Sequence, residues 1–170
     1  DVGLLQDGEV FGYLPAPQVS AGRLTPQRSV ESAHLGQVRP YRVFLPRGYD
    51  EHPERRYPVL YLHDGNGYLY EGAVGQMTLK TIVREGRSAE CIVVGIDTID
   101  ATRLSDLGPP GEDVLGSIGR GDEYTFFILD ELKPIIDAEY RTLPDAEHTA
   151  TAGFSLGGII AVYQGWEFND

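Results

Sequence analysis

The chain has 170 residues, with 14 Lys and Arg against 26 Asp and Glu and 41% hydrophobic residues, the make-up of one soluble globular domain able to bury about 70% of its unfolded surface. A formal charge of -12 excludes a phosphate-tracking surface, which needs clustered Lys and Arg, so no nucleic-acid partner is expected. The single cysteine, Cys91, excludes an intramolecular disulfide and a cysteine zinc cage, and no apolar run reaches the roughly 18 residues of a membrane helix.

Residues 1–28, with Pro15, Pro17 and Pro26, read as an irregular lead-in, and residues 29–170 as the domain proper. The first residue is Asp1 rather than Met, without the basic stretch and apolar core of a secretory leader. Cytoplasmic, periplasmic and secreted locations therefore all stay open. Residues 30–34 and 38–45, rich in Val, Tyr and Phe around Leu35-Gly36-Gln37, predict a hairpin. Pro40 is expected to place its second strand near a sheet edge. A polar loop over 46–56 leads to Val59-Leu60-Tyr61-Leu62, a buried strand that enters the glycine-rich turn His63-Asp64-Gly65-Asn66-Gly67.

A helix is expected over 72–86, closed by Gly86, and a second buried strand over 91–96. Residues 98–121 read as a long polar loop of the functional kind. Tyr124, Phe127, Ile128, Leu132, Ile135 and Ile136 recur at helical spacing over 123–140, with a kink expected at Pro134. Thr149-Ala150-Thr151-Ala152 predicts a third buried strand running into Gly153-Phe154-Ser155-Leu156-Gly157. Apolar strands separated by helices specify an α/β fold: a mostly parallel sheet with helices on both faces and an antiparallel hairpin at its start.

Gly153-Phe154-Ser155-Leu156-Gly157 matches G-x-S-x-G, in which a serine sits on a sharp strand-to-helix turn with its hydroxyl presented above the sheet. Side chains at the two glycines would collide with the neighbouring strand and helix. The candidate nucleophile is Ser155. Its oxyanion needs backbone donors; Leu156 supplies one amide, and the turn at Gly65 and Asn66 is expected to supply the other, with the Asn66 N–H preferred. His63, in the same turn, and Arg103, at the pocket rim, are candidate substrate contacts, Arg103 being equally placed to pair with Asp97 or Asp106.

With those motifs in view, the chain resembles the esterase family of α/β-hydrolases that includes enterochelin esterases, feruloyl esterases and S-formylglutathione hydrolase. The resemblance lies in YRVFLPRGYD (41–50), YPVLYLHDGNG (57–67), VGID (94–97) with Arg103, DELKPIIDAEYR (130–141) and AGFSLGGIIA (152–161), and covers about residues 29–165. It implies hydrolysis of a small-molecule carboxylic ester through an acyl-serine, without a cofactor, with siderophore, acylated-sugar and phenolic esters all open. The stretch IDTIDATRLSDL (96–107) is similar to the siderophore-esterase branch.

The family's triad runs Ser, then Asp or Glu, then His, yet the 15 residues after Ser155 contain Glu167 and Asp170 and no histidine. His34, His52, His63 and His148 all precede the serine, and neither His63 nor His148 is a natural base. The expectation is a fold truncated after the nucleophile helix, with the acid and base beyond residue 170 and the isolated chain nearly inactive. An open edge strand and an exposed apolar face are expected there. Acyl transfer on the same fold and a noncatalytic binding domain are the alternatives, and the oligomeric state is open. Arg120-Gly121-Asp122 reads as a chance tripeptide. Asp97, Asp100, Asp106 and Asp113 lack calcium-loop spacing, so no metal is expected. Gly65-Asn66-Gly67 is not a dinucleotide fingerprint.

Overall fold

The hairpin forms where the Val- and Tyr-rich runs predict it. In the computed structural model, which describes residues 22–68 and 90–168, β2 (Arg28–Ser32) pairs antiparallel with β3 (Gln37–Leu45). A short β1 (Arg23–Leu24), inside the expected irregular lead-in, pairs with the far end of β3. β4 (Val59–Leu62) and β5 (Ile92–Ile96) follow the apolar runs, and β8 (Thr149–Ala152) precedes the serine turn. The sheet runs β1-β3-β5-β4-β8, with β2 also on β3. β4 pairs parallel with both β5 and β8, whereas β3 meets β5 antiparallel.

β3 therefore lies one strand in from the sheet edge, with β1 and β2 on its outer side and β5 on its inner side. Pro40 is tolerated because it sits just past the last β3–β5 pair, Tyr41 with Ile96. Its carbonyl still accepts the Asp97 N–H at 2.9 Å. In an antiparallel pair the reverse bond would come from the N–H that proline lacks; the Asp97 carbonyl accepts from Arg39 Nη1 instead, at 3.2 Å.

Alternation along the strands sorts the core into two faces. Tyr41, Val43, Val59, Tyr61, Ile92, Val94 and Ile96 share one cluster with Tyr124, Phe127, Leu132, Ile136 and Ile160, whereas Phe44, Leu62 and Val93 form a second. The first cluster is covered by α3 (Gly121–Phe126), a π-helical segment over Phe127–Leu132 and α4 (Lys133–Glu139). That widened turn ends just before Pro134, the place of the expected kink, which enters as the second residue of α4. Residues 98–121 contain a short α2 (Arg103–Asp106) and a small hairpin of β6 (Asp113–Val114) and β7 (Ser117–Ile118). The expected helix over 72–86 lies outside the described residues. α1 (Gly65–Tyr68) follows β4, and α5 (Leu156–Glu167) follows Ser155.

Expected as a fully buried strand, β8 is only half-buried. Among the described residues it pairs with β4 alone. Beside it α5 turns Ile159, Val162 and Trp166 outward, at 48%, 73% and 78% exposure. No described helix is long and apolar enough to cross a membrane.

Candidate active site

Ser155 stands between β8 and α5 with φ 56° and ψ -123°, a backbone region that is almost exclusively glycine's and costs about 1–3 kcal/mol for other residues. The surrounding turn imposes it. Gly157 N–H donates to the Phe154 carbonyl at 2.9 Å, and Gly158 and Ile159 donate to the Ser155 carbonyl at 2.9 and 3.0 Å. A Cβ on Gly153 would lie 2.5 Å from the backbone carbon of Gly157, and one on Gly157 would lie 3.2 Å from His63 Cβ and Asp64 Oδ2. Contact thus dictates glycine at 153 and leaves little room for a side chain at 157, and the Ser155 side chain is left exposed.

Because β4 and β8 are parallel neighbours in register, Leu62 against Ala152, the turns that follow them emerge side by side. The His63 N–H donates to the Ala152 carbonyl at 2.9 Å across this seam. Gly65 and Asn66 are so brought to the same end of the sheet as Ser155 and Leu156. Glycine is required at 65 by the neighbouring strand: a Cβ there would lie 2.5 Å from the Gly95 carbonyl carbon of β5. Around Gly67 there is room. Asn66 is exposed, and its side chain accepts from the Thr98 N–H at 3.1 Å and donates to the Thr98 carbonyl at 3.4 Å.

His63 does not reach the surface. It is 0% exposed, with Nδ1 3.1 Å from the Tyr124 hydroxyl and Nε2 3.2 Å from Gln164 Oε1 and 2.7 Å from Thr151 Oγ1. Since Gln164 Oε1 only accepts, Nε2 carries the proton and Nδ1 accepts from Tyr124. Gln164 in turn donates to Thr125 at 3.2 Å. Burial pushes the imidazole pKa down to about 4, outweighing the Asp64 charge and the Gln164 hydrogen bond. His63 is therefore a neutral strut beneath the serine turn, which corrects the expectation of a substrate contact.

Arg103 pairs with Asp64, a partner outside the two expected. Its Nε donates to Asp64 Oδ1 at 2.9 Å and its Nη2 to Oδ2 at 2.8 Å. Asp64, a residue singled out by no motif, adopts φ 55°, and its place before Gly65 was the available signal, since Asp tolerates left-handed turn positions. Burial alone would raise its carboxyl pKa, but hydrogen bonds from Arg103 and Thr98 and the Arg103 charge hold it below the ordinary value. Asp106 belongs to a separate buried pair, with Arg39 Nη2 at 2.5 Å.

The other described histidines have different neighbours. His34 meets Asp130 at 3.1 Å, His148 meets Asp145 at 2.6 Å before the start of β8, and His52 is exposed in the loop leading to β4. No cluster of metal-ligating side chains occurs among the described residues.

Residues 32–170 match the family model described as "Putative esterase". The chain is 30% identical over 138 residues to an endo-1,4-beta-xylanase/feruloyl esterase of Xylanibacter ruminicola, covering 75% of this chain and 18% of that protein. Among solved structures, an IroE-like serine hydrolase from Shewanella oneidensis superposes with a TM-score of 0.66 at 26% identity, over 82% of this chain and 45% of that one. A ferulic acid esterase from Anaeromyces mucronatus, solved with ferulic acid, gives 0.58 at 26% identity, over 89% and 56%. The sheet and its helices are thus of the α/β-hydrolase type, and the chain spans only part of the length of each of these relatives.

Proposed function

The chain belongs to the esterase family, and on that premise we propose that it is the serine-bearing part of a carboxylic ester hydrolase acting through an acyl-enzyme. One observation carries the reading. Ser155 is held in a backbone conformation that only a built strand-to-helix turn sustains, with its side chain exposed above two adjacent parallel strands. The resemblance to a protein described as a serine hydrolase points the same way.

In this reading Ser155 Oγ attacks the acyl carbon and forms the new C–O bond while its proton passes to a base. The amides of Leu156 and Asn66 donate to the tetrahedral oxyanion. Collapse expels the alcohol and leaves the acyl-serine, which water hydrolyses. The acid and histidine that complete the triad lie outside the described residues, downstream of Ser155 as the motif's chain order requires. The substrate is a small-molecule ester. Phenolic acyl esters of the ferulic kind are favoured by the two feruloyl esterase relatives, with siderophore and acylated-sugar esters as the neighbouring classes.

The test is labelling of the full-length protein with a fluorophosphonate, read by intact mass, together with hydrolysis of methyl ferulate. One adduct, lost with turnover in Ser155→Ala, is the expected result. An adduct or turnover that survives the substitution overturns the assignment.

A further inference from the structure

The Asp64 carboxylate lies beside both turns that carry the amides assigned to the oxyanion. It precedes Gly65 and Asn66 in one turn, and it stands 3.2 Å from where a Gly157 Cβ would be, in the first turn of the helix that begins at Leu156. A negative charge in that place opposes the charge that develops on the substrate oxygen. Arg103 meets it with two parallel hydrogen bonds, at 2.9 and 2.8 Å, the geometry in which a guanidinium neutralises and orients a carboxylate together. The Thr98 hydroxyl donates to the same carboxylate.

The supports of Arg103 are themselves fixed. α2 is pinned at its last residue, Asp106, which receives Arg39 Nη2 at 2.5 Å and Thr102 Oγ1 at 2.6 Å. The other end of the loop is held at Asp97, whose N–H bonds Pro40 and whose carbonyl bonds Arg39. Thr98 and Arg103 thus approach Asp64 from the two anchored ends of one loop.

We propose that Arg103 is a positioning residue for the esterase reaction, cancelling the Asp64 charge beside the oxyanion and holding the turn that carries Asn66 at its distance from Leu156. The proposal rests on Ser155 acting as nucleophile. It has a consequence that a merely structural ion pair lacks: removing Arg103 alone, which bares the carboxylate, is worse than removing both partners.

The experiment compares the full-length protein with Arg103→Gln, Arg103→Lys and the Asp64→Asn/Arg103→Gln double variant, on p-nitrophenyl acetate, with thermal unfolding of each. Arg103→Gln is expected to lower kcat about tenfold or more with KM nearly unchanged, as for loss of a transition-state interaction. Arg103→Lys should fall between it and the parent, and the double variant should be faster than Arg103→Gln. Equal rates for Arg103→Gln and the parent, or a double variant no faster than the single, overturn the proposal. Arg103→Met takes the place of Arg103→Gln, under the same comparison, if the latter does not fold. Ser155→Ala is the control: its full activity would sink the nucleophile assignment itself, whereas an inactive Ser155→Ala beside unaffected Arg103 variants sinks only this inference.

Discussion

Nε2 of His63 stands 2.7 Å from the hydroxyl of Thr151, so the imidazole ahead of the serine turn is tied across the β4–β8 seam. Burial there keeps the ring uncharged, against the pull of the Asp64 charge and the Gln164 hydrogen bond.

A pH dependence of stability follows from the ring's pKa. The unfolded chain takes up a proton near the ordinary value of 6.5, whereas the folded ring holds off until about 4. Between these values the unfolded state binds more protons, so stability falls as pH is lowered through the window, by about 3 kcal/mol at its foot. Urea midpoints measured from pH 7 to pH 4 should show the slope. His63→Gln, which does not titrate, should flatten it while lowering stability throughout.

Ser155 carries backbone strain that glycine does not. Ser155→Gly is expected to raise the unfolding free energy by about 1 kcal/mol, whereas Ser155→Ala keeps the strain and leaves stability within about 0.5 kcal/mol of the parent. Chemical denaturation of the two variants side by side checks this.

Two glycines of one turn should respond oppositely to alanine. Gly65→Ala drives a Cβ to within 2.5 Å of the β5 backbone, and overpacking of that kind costs about 1–3 kcal/mol. Gly67→Ala meets nothing within 4 Å and should be neutral or slightly stabilising. Melting temperatures of the two variants distinguish them.

The Arg39–Asp106 pair is buried at both ends, each residue 2% exposed. Arg39→Met strands the carboxylate and is expected to cost about 3–5 kcal/mol. The double change Arg39→Met/Asp106→Leu should cost much less than the sum of the single ones, a non-additivity that a double-mutant cycle measures.

What could be read from the sequence is what local chemistry dictates. β3, β4 and β5 are runs of β-branched and aromatic residues between turn signals, and the serine turn is written by two glycines, the first of them forced by contact. The partner of Arg103 was hidden because Asp64 lies 39 residues upstream; the adjacency of β4 and β5 in the sheet brings the two together, while the nearer Asp106 is taken by Arg39. Pro40 is tolerated on a strand paired on both sides for a local reason. Its missing donor falls where β5 has already ended, and a guanidinium fills the gap. β1, β6 and β7, each a two-residue strand, are too short to show any period.

The widened turn over Phe127–Leu132 bears on how this chain tolerates insertions and deletions. A π turn accommodates one residue more than an α turn, so removing a single residue there would restore α geometry and keep α4 in its orientation to α3, whereas adding or removing one in the flanking α turns would rotate α4 by about 100°. That rotation would swing Ile136 off the core. Side chains along this stretch are exchangeable within limits, and relatives aligned to this chain should carry any one-residue gap of 121–139 inside 127–132.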